Sequence, residues 1–338
     1  MKKPLALAAA VAFALPTSLL FSADAPAPKP APAAATKPAT TKPALKITPG
    51  KVVVPFGTMR RPWGELISLD PVTRTGTFRN ESTDEVMPFT IVPYAELLHH
   101  ATFGDLQDFR VGERLIFRLH PDESGKWVWL TYIQDEMNMM NGHKEFYFVD
   151  AIDAATGKLT CTQANADKSF VRQQGIVIES APDTRYWKAG KPAAFADIKP
   201  GDKLRERSHG VGKGNRRVAW DLFLDEESLL AFQAEQKAVH AARMARDGAP
   251  GYIDESAGGK LKVTLFQEGG DYVAKLAKGQ PVQVAPAGVD RKPTKPAVKG
   301  TVAEVKRTGK LTAVTVDLPA TGGATFDVGS VMRLWVGE

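Results

Sequence analysis

Asp108-Phe-Arg-Val-Gly-Glu-Arg-Leu-Ile-Phe-Arg-Leu-His120 returns further along the chain as Asp197-Ile-Lys-Pro-Gly-Asp-Lys-Leu-Arg-Glu-Arg-Ser-His209. Asp, Gly, Leu, Arg and His stay in register, and five identities at one offset are not a chance alignment. The flanks repeat too. Leu66-Ile-Ser-Leu-Asp70 with Thr75-Gly76 matches Val149-Asp-Ala-Ile-Asp153 with Thr156-Gly157, and Ile133-Gln-Asp-Glu136 matches Phe223-Leu-Asp-Glu226. A unit of roughly ninety residues has therefore been duplicated, too long for a solenoid repeat and long enough to be a domain.

Within each unit an alternating run meets an Asp/Thr/Gly turn and resumes as Thr77-Phe-Arg79 or Lys158-Leu-Thr-Cys-Thr162. Such runs around such turns are hairpins. Val111-Gly112 and Pro200-Gly201 each start a new strand, and Asp122-Glu-Ser-Gly125 and Gly210-Val-Gly-Lys-Gly214 close another hairpin. Four to six short strands per unit suit a small closed barrel. The last stretch alternates in the same way between Gly-rich turns, at 260–266, 282–285, 301–306 and 311–318, and Phe326-Asp-Val-Gly329 echoes Phe109-Arg-Val-Gly112. One helix is expected from about Glu226 to Arg246, capped by Asp225 and ended by Gly248, with Leu229, Phe232 and Val239 sharing part of one face between the second and third barrels.

The expected fold is thus mainly β, with tandem small OB-like or SH3-like barrels and one connecting α-helix. Its parts are barrel-like repeats over 51–143 and 144–226, the helix over 227–248, and a diverged barrel-like domain over 249–338. The run of hairpins and Asp-x-x-x-Gly turns resembles exported OB-like barrel domains over about residues 58–226, a likeness of architecture that transfers no site residues.

Ahead of these units, Lys2 and Lys3, an apolar run from Leu5 to Phe21 and the triplet Ala23-Asp-Ala25 read as a secretory signal peptide over 1–25. Residues 26–50 are a linker of Pro, Ala, Thr and Lys with little to build a core from. The expected location is periplasmic or secreted. The chain has 338 residues and a formal charge of +6, but Lys2, Lys3, Lys29, Lys37, Lys42 and Lys46 supply most of that excess. From residue 51 onward 38 basic residues face 37 acidic ones, so the basicity is not a property of the folded part. Residues 58–143 net −5 and residues 144–338 net +5, a polarity that favours mutual attraction of the two ends. The single cysteine, Cys161, excludes an internal disulfide and reads as a half-buried strand residue.

The repeated Arg118-Leu-His120 and Arg207-Ser-His209 put a guanidinium and an imidazole on one strand face, where they could grip an acidic or hydroxylated ligand. Between Lys203 and Arg217 six basic residues accompany one acid, Glu206, and three glycines. Arg207, His209, Lys213, Arg216 and Arg217 are therefore the expected contact surface for an anionic glycan, a lipid headgroup or an envelope protein. Reversing Arg216 and Arg217 is expected to weaken binding without unfolding. Export and the lack of an interleaved aromatic argue against nucleic acid.

Met137-Asn-Met-Met140-Asn-Gly-His143, with Trp127 and Trp129 upstream, offers thioethers and an imidazole suited to Cu(I) or Ag(I). This neighbourhood resembles the periplasmic copper/silver efflux chaperones, small barrels that use methionines, a histidine and a tryptophan. The resemblance would make Met137, Met139, Met140 and His143 metal ligands. The matching part of the second unit, Glu227-Ser-Leu-Leu230, opens a helix, so by internal analogy the methionines belong to a short helix with apolar teeth. The adjacent His99 and His100 are expected to diverge and not to share a metal. No catalytic or nucleotide-binding motif is present, no cofactor is implied, and the expected function is non-enzymatic binding or scaffolding.

Overall fold

The strand–turn alternation of the sequence builds three barrels in a computed structural model that describes residues 58–337, apart from 101, 211–215, 289, 309–310 and 320–324. The signal peptide, nearly all of the linker-to-barrel junction and Lys213 lie outside the described residues. The first barrel comprises β1 (Trp63–Asp70), β2 (Thr75–Asn80), β3 (Val86–His99), β4 (Thr102–Phe103), β5 (Arg114–Pro121) and β6 (Trp127–Asp135), followed by α1 (Glu136–His143). The second repeats this plan with β7 (Glu145–Asp153), β8 (Lys158–Asn165), β9 (Val171–Lys188), β10 (Lys191–Ala193), β11 (Lys203–Gly210) and β12 (Arg216–Phe223), followed by α2 (Glu226–Asp247). The third contains β13 (Ala249–Ala257), β14 (Lys260–Leu265), α3 (Gly270–Ala274), β15 (Pro281–Ala287), β16 (Val298–Thr308), β17 (Leu311–Asp317) and β18 (Val331–Val336).

The ladders close the first two barrels identically. β1 pairs with β2 and β5, β2 with β3, β5 with β6, and β3 runs parallel to β6; β7, β8, β9, β11 and β12 make the same circuit, with β9 parallel to β12. This five-strand circuit is OB-like. The third barrel keeps its first strand between the second and last strands but closes through antiparallel pairs, in the order β13-β14-β17-β16-β15-β18.

One turn shows that all three barrels solve the same problem. Gly112, Gly201 and Gly329 have φ of 90°, 91° and 90°. Their N–H groups donate to the carbonyls of Leu66, Val149 and Ile253, whose own N–H groups are accepted by the carbonyls of Glu113, Asp202 and Ser330. Each barrel's first strand also has a register shift just past that point, at Leu66/Ser68, Val149/Ala151 and Ile253/Glu255. A backbone with φ near +90° excludes L side chains at little steric cost only to glycine, which is why Gly is kept where the flanking residues drift.

Alternation sends one face of each strand inward. Phe78, Phe89 and Phe117 fill the first barrel, with the Phe78 and Phe117 rings stacked at 4.1 Å. Tyr147, Leu159, Cys161, Ile176 and Ile178 fill the second, and a Val-rich set including Val263, Val284, Val314 and Val316 fills the third. Cys161 is fully buried, and burial pushes its thiol up, out of the reactive range. Each buried ring or branched aliphatic contributes about 1.5–3 kcal/mol.

The barrels also share cores. Tyr252, Phe266 and Val331 of the third join the first barrel's cluster, with Tyr94 edge-on to Tyr252 at 6.3 Å, while Trp63 and Ile116 of the first pack against the second. The connecting helix α2 begins where Asp225 accepts the Ser228 N–H at 2.7 Å. It reaches further than a link between the second and third barrels, because Arg243 also makes two bonds to Asp108 of the first, at 2.6 and 2.8 Å. No helix among the described residues is long and apolar enough to cross a membrane.

Candidate functional site

Where the first two barrels meet, β5, β6, α1, β8, β9 and β12 enclose a cleft of about 960 Å³. Strand alternation supplies its walls: Arg114, Ile116 and Arg118 point in from β5, and Tyr132 and Gln134 from β6, with Glu136 continuing that face into α1. The second barrel adds Gln163, Arg172, Gln173 and Arg217, and Arg61, Trp63, Glu96, Leu98, Asn138, Met139, Gly142, His143 and Gln267 complete the lining.

The cleft floor is an ion network. Arg114 donates to Glu136 at 2.7 Å and to Glu81 at 2.8 and 3.2 Å, its guanidinium lying over the Trp63 ring at 4.0 Å. Arg217 reaches across from the second barrel to both Glu136 oxygens at 3.2 Å, and Tyr147 donates its hydroxyl to Glu136 at 2.7 Å. Burial alone would raise the Glu136 carboxyl, but Arg114 and Arg217 hold it down at about 2. Glu206, fully buried with Arg217 at 3.4 Å, fares differently: burial, with the neighbouring Glu136 charge, raises it to about 8 against the pull of Arg217.

The upper walls are less committed. Arg118 donates to Thr131 and Glu96, and Arg172 to Glu145 at 2.6 and 2.7 Å. Arg61 is exposed and stands over the Tyr132 ring at 5.5 Å, and no carboxylate among the described residues pairs with it. With Gln134, Asn138, Gln163, Gln173 and Gln267 around it, the cleft presents amides, which both donate and accept, beside cationic forks and two aromatic faces.

Of the described residues singled out from sequence, Arg118, Arg217, Met139 and His143 line this cleft. Arg118 and His120 do share a strand face, since both bond Thr131 Oγ1, at 2.9 and 2.8 Å. His120 is nevertheless fully buried, with its other nitrogen 2.7 Å from the Thr58 carbonyl, and is a framework residue. Arg207 is buried against Asp221 at 2.9 Å and His209 stacks on Trp220, so both are engaged within the fold. The reason is docking: the β11–β12 hairpin lies against the first barrel, with a bridge between Glu113 and His209. Arg217 is also buried, so its reversal is expected to disturb the fold; Arg216 is the exposed member of the pair and bonds Glu179 at 2.6 Å.

The methionines are engaged in apolar packing. Met137 packs with Phe223 and Leu229, Met139 and Met140 sit in the second barrel's core cluster, and His143 is exposed. They are the apolar teeth of α1, as the internal analogy indicated. The adjacent histidines, by contrast, converge. His100 adopts φ of 52° in the tight turn between β3 and β4, bringing its ring centroid to 3.5 Å from that of His99. The argument that neighbouring side chains diverge holds for regular strand, and this backbone is not regular there.

Sequence reasoning missed Arg61, Trp63, Arg114 and Arg172. Arg114 had a readable signal, its spacing of four from Arg118 on one strand face, whereas Arg61 and Arg172 come from segments far apart in the chain. The sequence matches no protein-family model, and no curated protein resembles it significantly.

Proposed function

We propose that this chain is a non-enzymatic, extracytoplasmic binding protein whose cleft between the first two barrels receives an acidic glycan. The observation that carries the reading is the cleft's composition: an exposed guanidinium without an acidic partner, five side-chain amides and two aromatic walls around about 960 Å³. Amides match sugar hydroxyls in both hydrogen-bonding senses, aromatic faces take the apolar side of a pyranose, and arginine forks take carboxylate or sulfate. The volume falls within the range of ordinary small-ligand sites. Export is part of this proposal and rests on the sequence of the first twenty-five residues.

Titration calorimetry with a short uronic-acid oligosaccharide, its neutral counterpart and anionic phospholipid vesicles tests it. Saturable binding of the uronate alone, weakened about tenfold by Arg61→Glu, is expected, since a charge-assisted hydrogen bond is worth roughly 1.5–3 kcal/mol. Binding of vesicles in place of the uronate would transfer the site to a lipid headgroup. Failure of both refutes an anion-binding cleft.

A further inference from the structure

The end of β6, which feeds the cleft with Gln134 as the first residue of α1 feeds it with Glu136, turns Asp135 to the other side, toward the paired histidines. There, one donor atom from each of His99, His100, Glu113 and Asp135 lies within 4.8 Å of all the others, and all four residues are buried. We propose that these four side chains bind one divalent transition-metal ion of the zinc class, held for structure and not for catalysis.

The geometry fits such an ion. Nitrogen and oxygen donors about 2.0–2.2 Å from a tetrahedral centre stand roughly 3.3–3.6 Å from one another. His99 Nε2 is 3.0 Å from Glu113 Oε1 and His100 Nε2 is 3.6 Å from Asp135 Oδ2, distances that bracket that spacing. Outer contacts already orient the set. His100 Nδ1 is 3.4 Å from Gln236 Oε1, which assigns the ring proton to Nδ1 and leaves Nε2 as the lone pair. Glu113 Oε2 accepts the Arg110 N–H at 3.0 Å, and Asp135 accepts the N–H groups of Asn138 and His100 at 2.8 and 2.7 Å.

His100 Nε2 is the atom that asks for an ion. It is buried, has no hydrogen-bond partner, and its lone pair faces a carboxylate oxygen. Two acceptors facing each other away from water are costly unless a cation stands between them. A void of about 20 Å³ adjoins the two histidines on the side of Asp108, Gln236, His240 and Arg243. Arg207, a buried cation near enough to act on His100, is already engaged by Asp221.

The duplication provides an internal control. In the second barrel Ala189 occupies the position of His100, with φ of 48°, and its N–H donates to Asp225 at 2.6 Å as His100 N–H donates to Asp135 at 2.7 Å. Turn, cap and backbone bond are therefore framework. The imidazoles are not, because Lys188-Ala189 performs the same turn without them; the Glu113 carboxylate has a framework counterpart in Asp202, which accepts the Lys199 N–H as Glu113 accepts that of Arg110. The donor set is complete in one copy only, and four protein donors leave no open position for a reacting ligand.

The test uses the full-length chain, stripped with a chelator, dialysed against Zn²⁺ and assayed for bound metal, with Co²⁺ as the spectroscopic stand-in. Expected are one equivalent of Zn²⁺ per chain, the visible bands of tetrahedral Co²⁺, and a saturable rise in Tm with Zn²⁺. His100→Gln and Glu113→Gln, checked for folding by circular dichroism, should each lose at least tenfold in Zn²⁺ affinity, while Glu255→Gln, exposed on the third barrel, should bind as the parent does. Should either ligand variant fail to fold, the parent's stoichiometry and Co²⁺ spectrum decide. A folded parent chain that takes up no Zn²⁺, or binding undiminished in folded His100→Gln, overturns the site.

Discussion

Replacing Glu206 by Gln should make the protein more stable at pH 8 and leave it nearly unchanged at pH 5. Glu206 is sealed between the barrels, and burial raises its carboxyl from an ordinary value near 4.5 to about 8. Between those limits the folded chain keeps the proton and the unfolded chain releases it. The unfolded state then binds fewer protons, so stability falls as pH rises through this window. One pH unit of differential protonation is worth about 1.4 kcal/mol, and the two titration curves together give a loss of roughly 3–4 kcal/mol between pH 5 and pH 8. Gln reproduces the shape of the protonated acid and has no proton to lose. Urea denaturation at both pH values, followed by tryptophan fluorescence, should therefore show parent and variant alike at pH 5 and the variant ahead by roughly 3 kcal/mol at pH 8. Parallel pH dependence in the two proteins would refute the assignment of the buried proton to Glu206.

Two further substitutions probe the framework. Arg217→Glu puts a third carboxylate beside Glu136 and Glu206 and should cost at least roughly 3–5 kcal/mol, whereas Arg216→Glu, at an exposed pair, should leave the denaturation midpoint nearly unmoved; equal effects would contradict the burial of Arg217. Gly201→Ala meets no neighbouring atom within 4 Å, so its cost is the backbone conformation alone, about 1–2 kcal/mol, and Gly112→Ala should match it because its nearest neighbour, His209 Cβ, is at an ordinary 3.8 Å. A negligible loss at both positions in thermal denaturation would show that the turn does not require φ near +90°.

The barrels were legible because their decisive features are local. A glycine at φ near +90°, an aspartate at a helix N-cap and a two-residue alternation each leave a mark within a few positions, and α2 announces itself through Asp225 and Gly248. The cleft was not legible, since it joins Arg61, Arg114, Arg172 and Arg217, which only the docking of one barrel on the other brings together. The histidine pair was hidden for a different reason. His100-Ala101 carries none of the Gly or Asn that normally marks a turn with positive φ, and the turn is recognisable only through its twin at Ala189-Gly190.

Duplication also explains why repetition misdirected the search for a site. Arg118 and Arg207 return to the same register and bond the same position, Thr131 in one barrel and Asp221 in the other; both His120 and His209 are taken up by packing partners. A residue kept in both copies answers a demand that both barrels share, which is closure of the fold. A demand made of one barrel alone must be sought where the copies differ. By that criterion the informative positions are His99 and His100 against Lys188 and Ala189, and Glu113 against Asp202. At the two histidines side-chain chemistry changes over an unchanged backbone, and at Glu113 only the length of the carboxylate side chain does; these are three of the four proposed metal ligands. Asp135, the fourth, keeps its capping role in both copies, so it needs only a neighbouring imidazole to gain a second one.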